Sequence, residues 1–402
     1  MTKRKNSAVL NASLDPIVTS AAVFVIQAAV LLSASKTDFA VFSLAYSYVI
    51  VGQIVLASLF GAPLITVLGT KEHADEGDVI AAGFLRIQLL LALILAAAGA
   101  LIAYAIGIGA AIALVTGLCF FLLSYRDALR STLVASLQLA EALRVAIVFM
   151  VACVIQLPLV LLVVGRIDAL AGLAVMGVAA LVAVGGRIVV SLRSRHRVPR
   201  DVLRSLGGMA AWSLPGAVVI WLQNSFYLTI VAISIDLASV GEISASRMVI
   251  MPVLIGSAGL LRLWQVKAAA FLRDDRPEQA IRLASRMAGV VLGAGAVSAV
   301  AIFAALDWIP ADILPTAYPN LVILVGGWVL FATAVIARSA YSSLYQAMGR
   351  YREIFLLNAV TLPFIIAGVF IAPGYIGLLG AILPMAIGEL ALLGALALRV
   401  RS

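Results

Sequence analysis

Residues 145–164, VAIVFMVACVIQLPLVLLVV, form a stretch of twenty residues without one charged side chain. A helix rises 1.5 Å per residue, so this stretch would extend for about 30 Å, the thickness of the hydrocarbon core of a bilayer. Gln156 is its only strongly polar side chain. The stretch therefore predicts a transmembrane helix.

The composition of the whole chain matches this stretch. The 402 residues are 64% hydrophobic and only 12% charged, whereas about a quarter of the residues are charged in a typical soluble domain. The apolar runs are continuous rather than alternating, which favours helices over the strands of a β-barrel. The sequence thus predicts an all-α integral membrane protein with twelve transmembrane helices, near residues 17–34, 39–68, 80–104, 107–125, 143–164, 169–190, 211–235, 239–261, 283–306, 320–337, 354–372 and 376–398.

The positions of lysine and arginine predict the orientation of these helices, because loops rich in these residues stay in the cytoplasm. With residues 3–5 inside, the arginine-rich loops 187–206 and 262–286 are also inside, and both termini are cytoplasmic. This pattern and contact with anionic lipids account for the net charge of +9, so we expect no nucleic-acid partner. The cations outside, or in the outer half of the membrane, are Lys36, Arg166 and Arg247.

The sequence argues against a cleaved signal peptide, a disulfide, a metal site, a histidine-based catalytic triad and an ATP-binding motif. The first apolar run is long for a signal peptide and no clear cleavage site follows it, so we expect an uncleaved first helix. Cys119 and Cys153 lie in apolar runs and are expected to be inert thiols without a disulfide. The two histidines, His73 and His196, lie in polar loops and form no pattern typical of a metal site or a catalytic triad. A Walker A motif is missing from the sequence, and no cofactor is expected.

An internal repeat divides the chain. The stretch RSTLVASLQLAEALR (130–144) aligns with RSAYSSLYQAMGRYR (338–352) at one offset. Two further matches, VFSLAYS (41–47) with EISASRM (242–248) and Asp15-Pro16 with Leu214-Pro215, occur in the same order. Six helices in each half give both halves the same orientation, so we expect a pseudo-twofold axis along the membrane normal and a central cavity. The predicted division is an N-terminal lobe at 1–190, a cytoplasmic linker at 191–206 and a C-terminal lobe at 207–402.

These features together resemble a known family. Twelve helices in duplicated halves, FAVFSLAYS (39–47) and SVGEISASRMVIMP (239–252) are similar to the polysaccharide flippases, of the O-antigen-flippase kind. These belong to the superfamily of multidrug, oligosaccharidyl-lipid and polysaccharide exporters. The resemblance implies alternating access in a bacterial plasma membrane and an undecaprenyl-diphosphate-linked oligosaccharide as cargo. It also implies membrane lipids, glycosyltransferases and a glycan polymerase as partners.

The related lipid II flippases carry a small residue, an arginine and then a proline in helix eight, and Ala245, Arg247 and Pro252 match that pattern. In that branch the arginine lines the cavity. Tyr46 stands where the lipid II branch has a second arginine, in helix two, and two extra helices of that branch are missing. These departures from the lipid II branch argue against lipid II itself as the cargo.

Arg247 is the first candidate for binding cargo. An arginine inside a membrane costs about 2.5–3.5 kcal/mol on insertion scales, so it requires a wet cavity or a partner. Its guanidinium group can form paired hydrogen bonds with a diphosphate. Alternatively, Arg247 snorkels to the outer headgroups or pairs with Glu242.

Uncharged polar residues in helices one, two and seven are the next candidates. Gln27, Gln53, Gln223 and Asn224 could line a hydrated cavity and bind sugar hydroxyls. The alternative for each is an interhelical hydrogen bond, which polar side chains form in membrane bundles.

Charged residues of helices four, ten and twelve form a third group. Glu389, near the middle of helix twelve, could carry a coupling proton or neutralise an arginine. Arg130, Arg144, Arg338 and Arg352 lie near predicted inner helix ends, where they could steer an anionic headgroup. The positive-inside rule explains these four arginines equally well without a function.

The candidate residues are therefore compatible with three functions to different degrees. A flippase of a lipid-linked anionic glycan fits Arg247, whereas an exporter of drugs or small cations would need acids and aromatic residues in its pocket. A membrane enzyme would need catalytic acids on a sizeable outer loop. The only candidate loop for such an enzyme, with Asp307 and Asp312, is short. We therefore expect a secondary transporter and no catalytic residues.

Overall fold

The computed structural model describes residues 2–61, 64, 77–105, 109–136, 138–193, 198–305, 318–348 and 350–400. Nearly all of these residues are helical. A π-helical turn, Ala57–Gly61, extends α2, and a 3-10 turn, Gly377–Ala381, precedes α14. In chain order the helices are α1 (Thr2–Ser33), α2 (Lys36–Leu56), α3 (Gly77–Ala105), α4 (Ala110–Ala135), α5 (Leu139–Val164), α6 (Ala169–Arg193), α7 (Arg200–Asn224), α8 (Tyr227–Ser234), α9 (Leu237–Arg273), α10 (Pro277–Ala305), α11 (Leu321–Ala347), α12 (Tyr351–Ile371), α13 (Pro373–Ile376) and α14 (Leu383–Arg399).

The prediction of an all-α membrane protein is confirmed. Within the described ranges, ten helices are long and apolar enough to cross a membrane, and the count is eleven when α7 and α8 form one bent span. The twelfth predicted helix corresponds to α14, which is 17 residues long. The side of the membrane on which the termini lie stays a prediction.

Three helices continue well past their predicted ends, and one of them is the eighth, which was predicted at 239–261 and runs to Arg273. The fourth and tenth helices, predicted at 107–125 and 320–337, run to Ala135 and Ala347. The prediction ended each helix where the first arginine, Arg126 or Arg338, interrupts the apolar run. Both arginines are buried in the structure and each is paired with a carboxylate. A charge that is paired inside a helix bundle does not end the helix, and this corrects the two boundaries.

Short polar connections begin several helices, as the sequence predicts for 35–38, 165–168 and 236–238. The side-chain oxygens of Ser35, Asp168 and Asp236 each accept a hydrogen bond from the backbone N–H three residues later, at 3.1, 2.9 and 2.6 Å. Such caps satisfy N–H groups that have no partner within the helix. Pro277 is the first residue of α10, the position at which a missing N–H costs least.

The chain forms two compact units, Met1–Val218 and Val219–Ser402. The boundary between these units lies inside α7, after the linker predicted at 191–206, and the predicted lobes and linker stay a prediction. The boundary lies there because the first part of α7 packs on the N-terminal unit. Val202 belongs to an apolar cluster with Leu64, Ile80, Phe84 and Ala135.

Helix α4 is central in the first unit. It packs against α2, α3 and α6, while α1 packs against α5, and α5 against α6. Gly52 of α2 lies directly against the Phe120 ring of α4, so a Cβ atom at Gly52 would collide with that ring. Small residues allow such close approach of helices in membrane proteins.

The second unit repeats this order of packing. Helix α11 packs against α9, α10 and α14, while α8 packs against α12, and α12 against α14. In the order of the twelve predicted helices, α4 is the fourth and α11 is the tenth, so the two are equivalent in the repeat. The partners of α4 are the second, third and sixth helices, and the partners of α11 are the eighth, ninth and twelfth. Packing within each unit thus supports the internal repeat.

Candidate functional site

Arg247 lies on α9 within a series of buried residues, and its own side chain is partly exposed. Its Nη1 donates a hydrogen bond to the hydroxyl of Tyr227 on α8, at 3.5 Å. Its guanidinium carbon lies 5.4 Å from the ring centroid of Trp328 on α11. Three helices of the second unit therefore surround this cation.

The two aromatic rings beside Arg247 are themselves held in place. Trp328 Nε1 donates hydrogen bonds to the carbonyl of Ile243 at 3.2 Å and to the hydroxyl of Ser246 at 3.1 Å, both on α9. Tyr227 meets the Trp328 ring edge-on, with 5.6 Å between the ring centroids. Both rings are buried.

Arg247 retains unused hydrogen-bonding capacity. Its Nε is buried without a hydrogen-bond partner, and no ion pair joins Arg247 to a carboxylate among the described residues. Glu242, the predicted alternative partner, accepts a hydrogen bond from the backbone N–H of Asn320 at 2.6 Å. Burial raises the pKa of nearby Tyr318, and the Glu242 carboxylate raises this pKa further. The structure therefore gives Glu242 partners at the start of α11.

Gln223 connects two helices. Its Nε2 donates to the backbone carbonyl of Asn358 at 2.8 Å and to the hydroxyl of Thr361 at 2.9 Å, both on α12. This is the interhelical alternative that the sequence left open. The neighbouring Asn224 donates within its own helix, to the carbonyl of Ile220 at 2.9 Å. The axis bends by 44° between α7 and α8, directly after these two residues.

The two remaining polar candidates belong to the first unit. Gln27 is buried on α1, and Gln53 is partly buried on α2. Arg247, Gln223 and Asn224 all belong to the second unit. The predicted polar set is thus divided between the two units.

Glu389 of α14 is buried, and its Oε2 accepts a hydrogen bond from Arg338 Nε of α11. Arg338 also donates through Nη1 to the hydroxyl of Ser342, at 3.2 Å. Of the two roles suggested for Glu389, the geometry favours neutralisation of an arginine. Arg338 is buried in this pair rather than placed at an exposed rim, which corrects the expected position for steering a headgroup.

The other three predicted steering arginines differ in environment. Arg130 is mostly buried and bonds to α1, with 3.0 Å to the Thr19 hydroxyl and 3.6 Å to the Asp15 carboxylate. Arg144 is exposed and lies 3.5 Å from Glu141 on its own helix. Arg352 is exposed at the start of α12. Arg144 and Arg352 therefore keep the exposure that a steering role requires, and Arg130 does not.

Arg126 is a buried charged residue that was not among the predicted candidates. It is 2% exposed, its Nη2 lies 2.9 Å from the Asp127 carboxylate, and its guanidinium stacks 3.9 Å from the ring centroid of Phe149 on α5. The adjacent Arg126 and Asp127, directly after an apolar run, could have indicated that the helix continues, because two opposite charges can remain inside a helix bundle as a pair.

Cys119 and Cys153 are buried free thiols of the same unit.

Some residues considered in the sequence lie outside the described residues. These are the two histidines, His73 and His196, and the two acids of the short loop considered for a membrane enzyme, Asp307 and Asp312.

Comparison with solved structures identifies the fold. An inward-facing multidrug resistance MATE family transporter of the MOP superfamily superposes with a TM-score of 0.68 and 14% identity, over 98% of this chain and 97% of that one. An outward-facing member of that family gives 0.66 and 12%, over 98% and 94%. A MOP superfamily transporter from Pyrococcus furiosus gives 0.68 and 14%, over 98% and 94%, and was described as having a binding pocket of reverse polarity that suggests a different function.

The similarity is one of structure. No protein-family model matches the sequence, and no curated protein matches it. Identities of 12–14% across nearly the whole length carry information about the fold alone. The chain has the fold of the MATE transporters of the MOP superfamily.

Proposed function

We propose that this protein is a secondary transporter that flips a lipid-linked anionic oligosaccharide across a bacterial plasma membrane by alternating access. The observation that carries the proposal is Arg247, a partly exposed arginine in an apolar helix that no carboxylate neutralises among the described residues. A permanent cation in that position suits an anionic group such as the diphosphate of a lipid-linked glycan.

The charges elsewhere in the helices support an anionic cargo. Asp15, Asp127 and Glu389 are each paired with an arginine of the same unit. These three carboxylates are neutralised and do not attract a cationic cargo. Among the helical arginines that the structure describes, Arg247 retains a buried donor without a hydrogen-bond partner and has no ion pair to offset its charge. In the second unit, Arg338 offsets the charge of Glu389, and the buried Glu242 carboxylate accepts a hydrogen bond from the Asn320 backbone. Arg247 is therefore the feature that supports an anionic cargo.

The second candidate function is export of drugs or small cations, because two of the structures that superpose on this chain are multidrug resistance transporters. The Pyrococcus furiosus transporter, described as having a binding pocket of reverse polarity, indicates that pocket charge differs within this fold. Arg247 disfavours a cationic cargo by repulsion.

The partners that we propose are membrane lipids and the glycosyltransferases and polymerase that would supply and consume the glycan. We propose no enzymatic reaction.

A flipping assay in proteoliposomes tests the proposal. The probe is a fluorescent polyprenyl-diphosphate disaccharide in the bilayer, and a membrane-impermeant reductant reports its arrival in the outer leaflet. We expect Arg247→Ala to abolish flipping while the protein still inserts. Arg166→Ala is the matched control, because Arg166 is an exposed arginine in a short connection. The same vesicles loaded with ethidium test drug export.

The results separate the two functions. Flipping by the wild type and its loss in Arg247→Ala, with no ethidium transport, support the flippase. Equal flipping by the wild type and Arg247→Ala would refute the role of Arg247. Ethidium transport without any flipping would replace the flippase with the multidrug exporter.

A further inference from the structure

We infer that Tyr227 and Trp328 are positioning residues, which hold the Arg247 guanidinium in one orientation for the anionic group of the cargo. The inference rests on the proposed function, because it assigns a geometry to the cation that would bind the cargo. It extends the site from one residue on α9 to three residues on three helices.

Burial separates the roles of the three side chains. Trp328 is 0% exposed and Tyr227 is 2% exposed, so neither ring can touch a cargo in this conformation. Arg247 is the partly exposed member of the group. Any effect of the two aromatic residues on cargo binding therefore passes through Arg247.

Trp328 presents a fixed ring to the guanidinium. Its Nε1 is bonded to Ile243 and Ser246, which precede Arg247 on the same helix by four residues and one residue. These hydrogen bonds fix the rotation of the indole ring relative to α9. A guanidinium within about 6 Å of an aromatic centroid is attracted to the ring face, and the observed distance is 5.4 Å.

Tyr227 restrains the same guanidinium at another atom. Its hydroxyl accepts from Nη1, while its ring packs edge-on against Trp328. A long arginine side chain otherwise loses considerable rotamer entropy when it binds a ligand. A hydroxyl and a ring that already hold it reduce the entropy lost on binding, so the anion meets a pre-organised fork.

Binding of farnesyl diphosphate to the full-length protein in detergent, measured by titration calorimetry, tests the inference. We expect Arg247→Ala to abolish binding and Tyr227→Phe to weaken it about fivefold, the size of one modest hydrogen bond. Trp328→Phe keeps an aromatic ring but removes both Nε1 hydrogen bonds, and we also expect it to weaken binding. Tyr125→Phe is the matched control, since it removes a buried hydroxyl that bonds to Ser191 in the first unit.

Repeating the Tyr227→Phe substitution in a protein that already carries Arg247→Lys distinguishes a positioning role of Tyr227 from a general structural role. In Arg247→Lys the cation is a flexible ammonium without a planar fork, so the restraints have little to orient. Tyr227→Phe should then change affinity by less than about twofold. Thermal melting of every variant verifies that the compared proteins are folded.

Three outcomes would overturn the inference, each for a different reason. Normal binding by Arg247→Ala would overturn the role of Arg247 as the cation that binds the cargo, and the positioning role with it. Lost binding in Arg247→Ala with wild-type affinity in both Tyr227→Phe and Trp328→Phe would overturn the positioning role alone. An equal loss of affinity caused by Tyr227→Phe in the arginine and lysine backgrounds would show that Tyr227 affects binding by a route other than the orientation of the guanidinium group.

Discussion

Arg338 of α11 and Glu389 of α14 form a buried ion pair inside the second unit. In the internal repeat, Arg338 is the residue equivalent to Arg130. Arg130 pairs in the first unit with Asp15 of α1. Equivalent arginines are thus neutralised by carboxylates from helices that are not equivalent. Each unit compensates its arginine independently, because any carboxylate within reach lowers the cost of the buried cation.

Glu389→Gln should destabilise the protein strongly. Removing the negative charge leaves Arg338 buried without a counter-charge, and breaking a buried pair in this way costs about 3–5 kcal/mol. The measurement is thermal melting in detergent. Glu141→Gln is the control, because its partners Arg144 and Arg187 are both exposed and such pairs contribute below about 1 kcal/mol.

The double variant Arg338→Met/Glu389→Leu separates a counter-charge from a coupling role of Glu389. Replacing both partners with apolar residues of similar size should restore most of the lost stability. If Glu389 only neutralises Arg338, this variant should also transport. A stable double variant that has lost transport would contradict the counter-charge role and favour a coupling proton on Glu389.

Gly52→Leu should separate α2 from α4. A larger side chain at Gly52 collides with the Phe120 ring, and overpacking of this kind costs about 1–3 kcal/mol. Gly99→Leu introduces the same change in α3, where no atom beyond the adjacent residues and the local helix backbone lies within 4 Å of the added Cβ. Melting temperatures provide the comparison, and equal values for the two variants would contradict the close contact of α2 with α4.

Gln223→Leu distinguishes an interhelical role from a cavity role. It removes two hydrogen bonds to α12, so we expect a loss of about 1–2 kcal/mol in stability with transport retained by the folded protein. Asn224→Leu removes a bond within α7 only and should change stability less. Unchanged melting of Gln223→Leu together with lost flipping would favour the cavity role instead.

Arg126→Met should be destabilising because it leaves the Asp127 carboxylate without its guanidinium partner inside α4. Adding Asp127→Asn should recover part of the stability, since the unpaired charge is then removed. Phe149→Leu should cost stability in the wild type and less in Arg126→Met, because the ring stacks on the guanidinium. Additive effects of Phe149→Leu and Arg126→Met would show that the stacking contributes nothing.

The candidate site was only partly predictable. Arg247 was found because a charge inside an apolar run is visible in the sequence, and so was Glu389. Tyr227 and Trp328 were missed, since aromatic residues in apolar helices are common and only their contacts with Arg247 distinguish them. Arg126 was missed because the prediction ended the fourth helix one residue before it.

The sequence by itself determined the all-α class, the approximate positions of the helices and the internal repeat. Helices in a bilayer satisfy their own backbone hydrogen bonds, so the length of each is set locally by an apolar run. Only the tertiary structure decided which charges are neutralised. Arg338 and Glu389 are 51 residues apart, and Gln223 and Asn358 are 135 apart. Such pairs depend on how distant helices pack. That packing places Arg247 beside the Tyr227 hydroxyl and the Trp328 ring, with no ion pair to a carboxylate among the residues that the structure describes.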